Sequence, residues 1–103
     1  MIVIKNIYSS DARQLRIAAE AVNTVADDLA AEVRLLREKH LLLSQQWSGT
    51  AADQVVSGLS DDCDGLEEIL DEIREFYEDL KAVCTENEKA ESQLDELART
   101  ISI

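Results

Sequence analysis

Proline is absent from the 103-residue sequence, glycine occurs three times, and there are four aromatic residues and one histidine. With no proline and so few glycines, long helices meet almost nothing that would break them. A lone histidine cannot complete the common histidine-rich metal sets. The chain also has no His-Glu-x-x-His, no paired-cysteine metal spacing and no glycine-rich phosphate loop. Cations are scarce as well: ten Lys and Arg against 22 Asp and Glu leave a net charge of -12. That balance excludes the basic footprint a phosphate backbone requires, so nucleic acid is not an expected partner. No apolar run approaches the ~20 residues of a membrane span, so no membrane insertion is expected. The opening Met1-Ile2-Val3-Ile4-Lys5-Asn6 lacks the basic start, apolar run and small-residue cleavage site of a secretory signal peptide.

What is present is 46% apolar residues interleaved with 31% charged ones, the composition of amphipathic helices. The fold class predicted is all-α, in one domain spanning residues 1 to 103. Residues 2 to 7, rich in β-branched side chains, read as an extended arm. Ser9 or Ser10 then offers an N-cap, with Asp11 in the first turn, so a first helix is expected from about 10 to 45. Along it Leu15, Val22, Leu29, Leu36 and Leu43 recur every seven positions, with Ala19, Ala26, Val33 and His40 four residues after the first four. Such rows make a narrow packing seam. His40 fits packing, or the helix C-terminus, better than catalysis.

The periodicity stops at Gln46-Trp47-Ser48-Gly49-Thr50. A reversal is expected there, with Gly49 in a left-handed conformation, and Thr50 with Asp53 signals a capped second helix from about 51 to 95. That helix carries three apolar rows. Leu59, Leu66, Ile73, Leu80, Asn87, Leu94 and Ile101 form one; Ile69, Phe76, Val83, Ala90 and Leu97 a second; Cys63, Leu70, Tyr77 and Cys84 a third. One facing helix cannot cover so wide a stripe. Two such antiparallel hairpins are therefore expected to pair into a four-helix bundle, with Leu59, Leu66, Leu70, Ile73, Phe76, Tyr77 and Leu80 at the partner interface. Cys63 and Cys84, 21 residues apart on one helix, are too distant to pair and read as buried thiols.

Charge is distributed unevenly. Residues 53 to 79 carry eleven Asp or Glu against the single Arg74. The acidic pairs Asp61-Asp62, Glu67-Glu68, Asp71-Glu72 and Glu78-Asp79 recur around a helix without the loop that calcium sites use, so they read as solvated surface and not as a metal cage. A basic partner surface is the sharper reading of the same residues. Neither an enzymatic activity nor a cofactor is expected.

Trp47-Ser48-Gly49 lies near the midpoint of a chain of about a hundred residues, between two long helices, and is followed by Ala51, Ala52 and Val55. This arrangement resembles the WXG family, the small early-secreted-antigen-like proteins of type VII secretion. The likeness covers all but the first few residues. It implies a cytoplasmic protein exported by a signal-peptide-independent route, acting through contact with itself or a related helical hairpin. It also implies that Trp47 lies beside a surface read by the secretion ATPase. Family members commonly carry Tyr, three residues, then Asp or Glu after the second helix as an export signal. Here Asn87 and Glu91 occupy the corresponding places, so the signal is degenerate. Two alternatives stay open: a targeting partner that completes a bundle with a larger type VII-secreted, LXG-like toxin, and an antiparallel coiled-coil adaptor unrelated to secretion.

Overall fold

A chain without proline, whose apolar residues keep a helical period on both sides of one turn, has a helical hairpin as its simplest solution. The computed structural model describes residues 2 to 101, and side chains from Asp11 onward. It contains helix α1, Ile2–Gln46, and helix α2, Thr50–Ile101. No strand occurs among the described residues.

Both helices are longer than the sequence pattern predicts. The extended arm expected at residues 2 to 7 is helical, so Ser9 and Ser10 lie inside α1 and not at its start. Ile2, Val3, Ile4 and Ile7 lower helix propensity only slightly, and extending an existing helix avoids the cost of a new nucleus. At the other end α2 runs past residue 95 to Ile101, since no breaker follows Gly65.

Three residues, Trp47, Ser48 and Gly49, separate the helices. The Trp47 N–H closes the last turn of α1 onto the Leu43 carbonyl at 3.0 Å, and the Asp53 N–H donates to the Gly49 carbonyl at 2.9 Å. Gly49 therefore holds the N-cap place expected of Thr50, which is already helical. Gly49 has φ +110°, as a left-handed turn requires, and no other described residue has a positive φ. Asp53 puts a carboxylate in the first turn of α2, where the helix dipole favours it.

The chain divides into two compact units, Thr24–Arg74 and Met1–Asn23 with Glu75–Ile103. In Thr24–Arg74, Ala26, Val33, Ala52 and Cys63 are buried, with Leu29, Leu36, His40, Val56, Leu66 and Leu70 half-buried around them. The cross-helix bonds run in antiparallel register, partner numbers rising as α1 numbers fall: His40 with Val56, Arg37 with Asp64 and Glu67, Asp27 with Arg74. In the other unit Ala12, Ala19 and Cys84 are buried, and Leu15, Val22, Tyr77, Leu80, Asn87 and Leu94 are half-buried. Each unit thus sets small side chains on its central row, which lets two helix backbones approach closely.

Candidate association surface

Polar bonds across the helix pair orient each unit. In Thr24–Arg74, Arg37 Nε donates to Glu67 Oε1 and Arg37 Nη2 to Asp64 Oδ1, both at 2.7 Å. Arg74 reaches Asp27 at 3.5 Å. These bonds hold the Arg37 pKa above its ordinary value and, chiefly through the hydrogen bond from Arg37, the Glu67 carboxyl below its own. Arg37 stands four residues after buried Val33, and Glu67 four after buried Cys63. The side reached by stepping four residues is therefore the charged side of both helices, and the side reached by stepping three faces away from it.

That second side is apolar. Stepping three from Val33 gives Leu36, and from Cys63 gives Leu66, both half-buried. Stepping three more from Leu66 gives Ile69, which is 48% exposed. Val55 lies on the same row and is also exposed.

The unit of Met1–Asn23 with Glu75–Ile103 follows the same rule by itself. Arg16, four after Ala12, bonds Glu88, four after Cys84, at 2.7 Å. Hydrogen bonding to Glu88, and then its charge, raise the Arg16 pKa. On the side away from this pair Phe76 is 55% exposed, and Val83 and Leu97 are exposed as well. The Lys81 ammonium lies 5.6 Å from the centre of the Tyr77 ring, a cation–π contact, and 3.4 Å from Glu78.

The expected interface residues separate into three groups. Leu70 and Tyr77 share the row of Cys63 and Cys84 and are half-buried within their own units, so they do not point outward. Leu59, Leu66, Ile73 and Leu80 are half-buried at the border of the apolar side. Phe76 alone among the seven is exposed. The outward row is Val55, Ile69, Phe76, Val83 and Leu97. Three adjacent apolar rows do not themselves say which one turns away from α1. The clue available in the sequence is the polar row Ser60, Glu67, Arg74, Lys81 and Glu88 beside Cys63 and Cys84.

Trp47 is 42% exposed, and Ser48 and Gly49 are exposed beside it. Asn87 and Glu91 lie within α2 and are half-buried. Cys63 and Cys84 are buried free thiols. His40 Nε2–H donates to the Val56 carbonyl at 2.9 Å, which gives this half-buried ring a packing role.

Among the described residues, no group of three or more His, Cys, Asp or Glu is placed to hold a metal ion, and no helix is long and apolar enough to cross a membrane. An open groove on the charged side of Thr24–Arg74 is lined by Ala30, Val33, Arg37, Leu41, Glu67 and Leu70. Arg37 and Glu67 bond each other there, and Arg34 and Glu38 also line the groove. No family model matches the chain, and no curated protein or solved structure matches it.

Proposed function

We propose that this protein works by helix-bundle association, as a WXG-like substrate of type VII secretion, without catalysis of its own. One observation carries the association: in each unit, the side of α2 away from the ion pairs leaves large apolar side chains in water, Val55 and Ile69 in one, Phe76, Val83 and Leu97 in the other. Apolar side chains aligned on one face of a helix mark a contact surface more specifically than scattered ones do. The secretion assignment is supported by the Trp47-Ser48-Gly49 turn between two long helices, with Gly49 in the left-handed region. Export takes the folded chain from the cytoplasm by a route independent of a signal peptide, with the turn beside the surface that the secretion ATPase reads.

The position of Asn87 and Glu91 favours a second form of this reading. An export signal needs to be displayed, and these two residues are half-buried inside α2. A partner toxin would then carry the signal, and this chain would complete the bundle. Secretion from cells lacking the neighbouring partner genes tests both forms. Undiminished export of this chain would favour the independent substrate, and loss of export would favour the escort. Export unaffected by deletion of the secretion ATPase would remove the type VII assignment.

A further inference from the structure

Within Thr24–Arg74, two observations together constrain what covers the apolar side. Val25 on α1 and Val55 and Ile69 on α2 are exposed there, and Trp47 is exposed in the turn. Between Asp53 and Glu72, α2 carries eight carboxylates and no cation. Arg37 engages two of them, Asp64 and Glu67. Among the described residues no ion pair reaches Asp61, Asp62, Glu68 or Glu72. Asp62 stands on the apolar row midway between Val55 and Ile69, and Asp61, Glu68 and Glu72 border that row on the side away from α1.

A second copy of this chain fits such a border poorly. Presenting its own α2 would bring the same eight carboxylates against these. Presenting α1 would bring, between Thr24 and Gln46, four acids and three bases, of which Arg37 is already engaged. Like charges brought together as water leaves an interface oppose docking, and opposite charges accelerate it and select the partner.

We infer that the occupant of this face is a different helical protein, whose docking helix carries Lys and Arg beside its apolar stripe. The inference rests on the bundle-association reading and adds the partner's charge to it. Selectivity here is electrostatic at the border and apolar at the centre, so the two parts are separable by experiment.

The test uses the full chain and three synthetic helical peptides of about 28 residues, long enough to span roughly 40 Å. One has a Leu/Ile stripe flanked by Lys, the second the same stripe flanked by Glu, and the third the Lys flanks with the stripe replaced by Ala and Ser. Fluorescence anisotropy of labelled peptide is read at low salt and at about 0.3 M NaCl, where the screening length shortens. The Lys-flanked stripe is expected to bind at least about tenfold tighter than the Glu-flanked one, with the gap narrowing in salt. Ile69→Asp should abolish binding, and a D62N/E68Q/E72Q variant should keep binding but lose the preference for Lys. Both changes lie at exposed positions, and circular dichroism checks that the helices persist. Equal binding of the Lys- and Glu-flanked stripes would overturn the charge inference and leave the association reading standing. Binding of the stripeless Lys peptide as tight as the full one would also overturn it, as attraction to a net acidic protein. Failure of every peptide, with a compact monomer by sedimentation, would count against the association reading itself. A tight homodimer that excludes the Lys-flanked peptide would make a second copy the occupant.

Discussion

Gly49 is the residue on which the reversal turns. A Cβ built there meets nothing within 4 Å, so the surroundings would accept a side chain. The backbone would not, because φ is +110°. Gly49→Ala should therefore lower stability through conformation alone, by about 1–2 kcal/mol, with Gly49→Asn costing less. Urea unfolding checks this, and an unchanged midpoint for the alanine variant would mean that the turn relaxes to another geometry. Arg37 is the second informative residue, since one guanidinium holds both Asp64 and Glu67. Because the Glu67 pKa is lowered in the folded chain, its contribution to stability is complete above the ordinary carboxyl value of 4.5. It is lost as pH falls through the depressed folded value. In Arg37→Gln the Glu67 carboxyl should titrate higher, as side-chain carbon chemical shifts would report. A Glu67 titration that does not move would mean that the hydrogen bond is not populated in solution.

At the scale of the helix, the central row of α1 is built from side chains too small to hold neighbouring backbones apart. Ala26 is 0% exposed and lies between Ala19 and Val33 on that row. Ala26→Leu adds three carbons where the helices meet and should cost about 1–3 kcal/mol by overpacking. Leu35→Ala, on the exposed side, should leave the unfolding midpoint nearly unchanged. Equal effects from the two would show that Ala26 does not face α2. This seam was legible in the sequence because α1 has only one pair of apolar rows, so its period also gives its orientation. The same method located the turn, where Trp47, Ser48 and Gly49 interrupt two strong periods. The azimuth of α2 was not legible, since Cys63, Leu66 and Ile69 begin three adjacent rows of similar character. The polar row through Glu67 and Glu88 is the one sequence signal of it, and the ion pairs that orient it, Arg37–Glu67 and Arg16–Glu88, join residues 30 and 72 positions apart. The outer helix ends were less legible, because no breaker marks them and continued helix is the cheaper state.

For the molecule as a whole, association and folding draw on neighbouring rows of α2, and substitutions on those rows should separate the two. Ile73 is half-buried at the border of the row that packs against α1, and Phe76 is exposed on the row beyond. Aspartate at Ile73 should lower the unfolding midpoint of the isolated chain, because a carboxylate is forced into partly desolvated surroundings. Aspartate at Phe76 should leave that midpoint nearly unchanged and weaken partner binding. Reversed effects would place Phe76 within the chain and Ile73 on the contact. Salt provides a test of the charge distribution. The folded helix holds the eight carboxylates between Asp53 and Glu72 at fixed short spacings, and unfolding lets them spread. Carboxylates one turn apart lie roughly 5–6 Å from each other, inside the ~10 Å screening length at 0.1 M, so their repulsion acts at low salt and weakens above it. The exposed ion pairs of Arg16, Arg37 and Arg74 weaken over the same range and work in the opposite direction. Exposed pairs contribute little individually, and the carboxylates outnumber the cations that face them, so repulsion dominates. The thermal midpoint of the isolated protein should therefore rise from about 0.02 M to about 0.5 M NaCl, as the screening length falls severalfold. Circular dichroism melts at constant pH follow this directly, and a falling midpoint would show that the ion pairs outweigh the repulsion. The same repulsion is what a partner with basic borders would relieve on docking, so the salt-dependent rise should shrink once such a partner is bound.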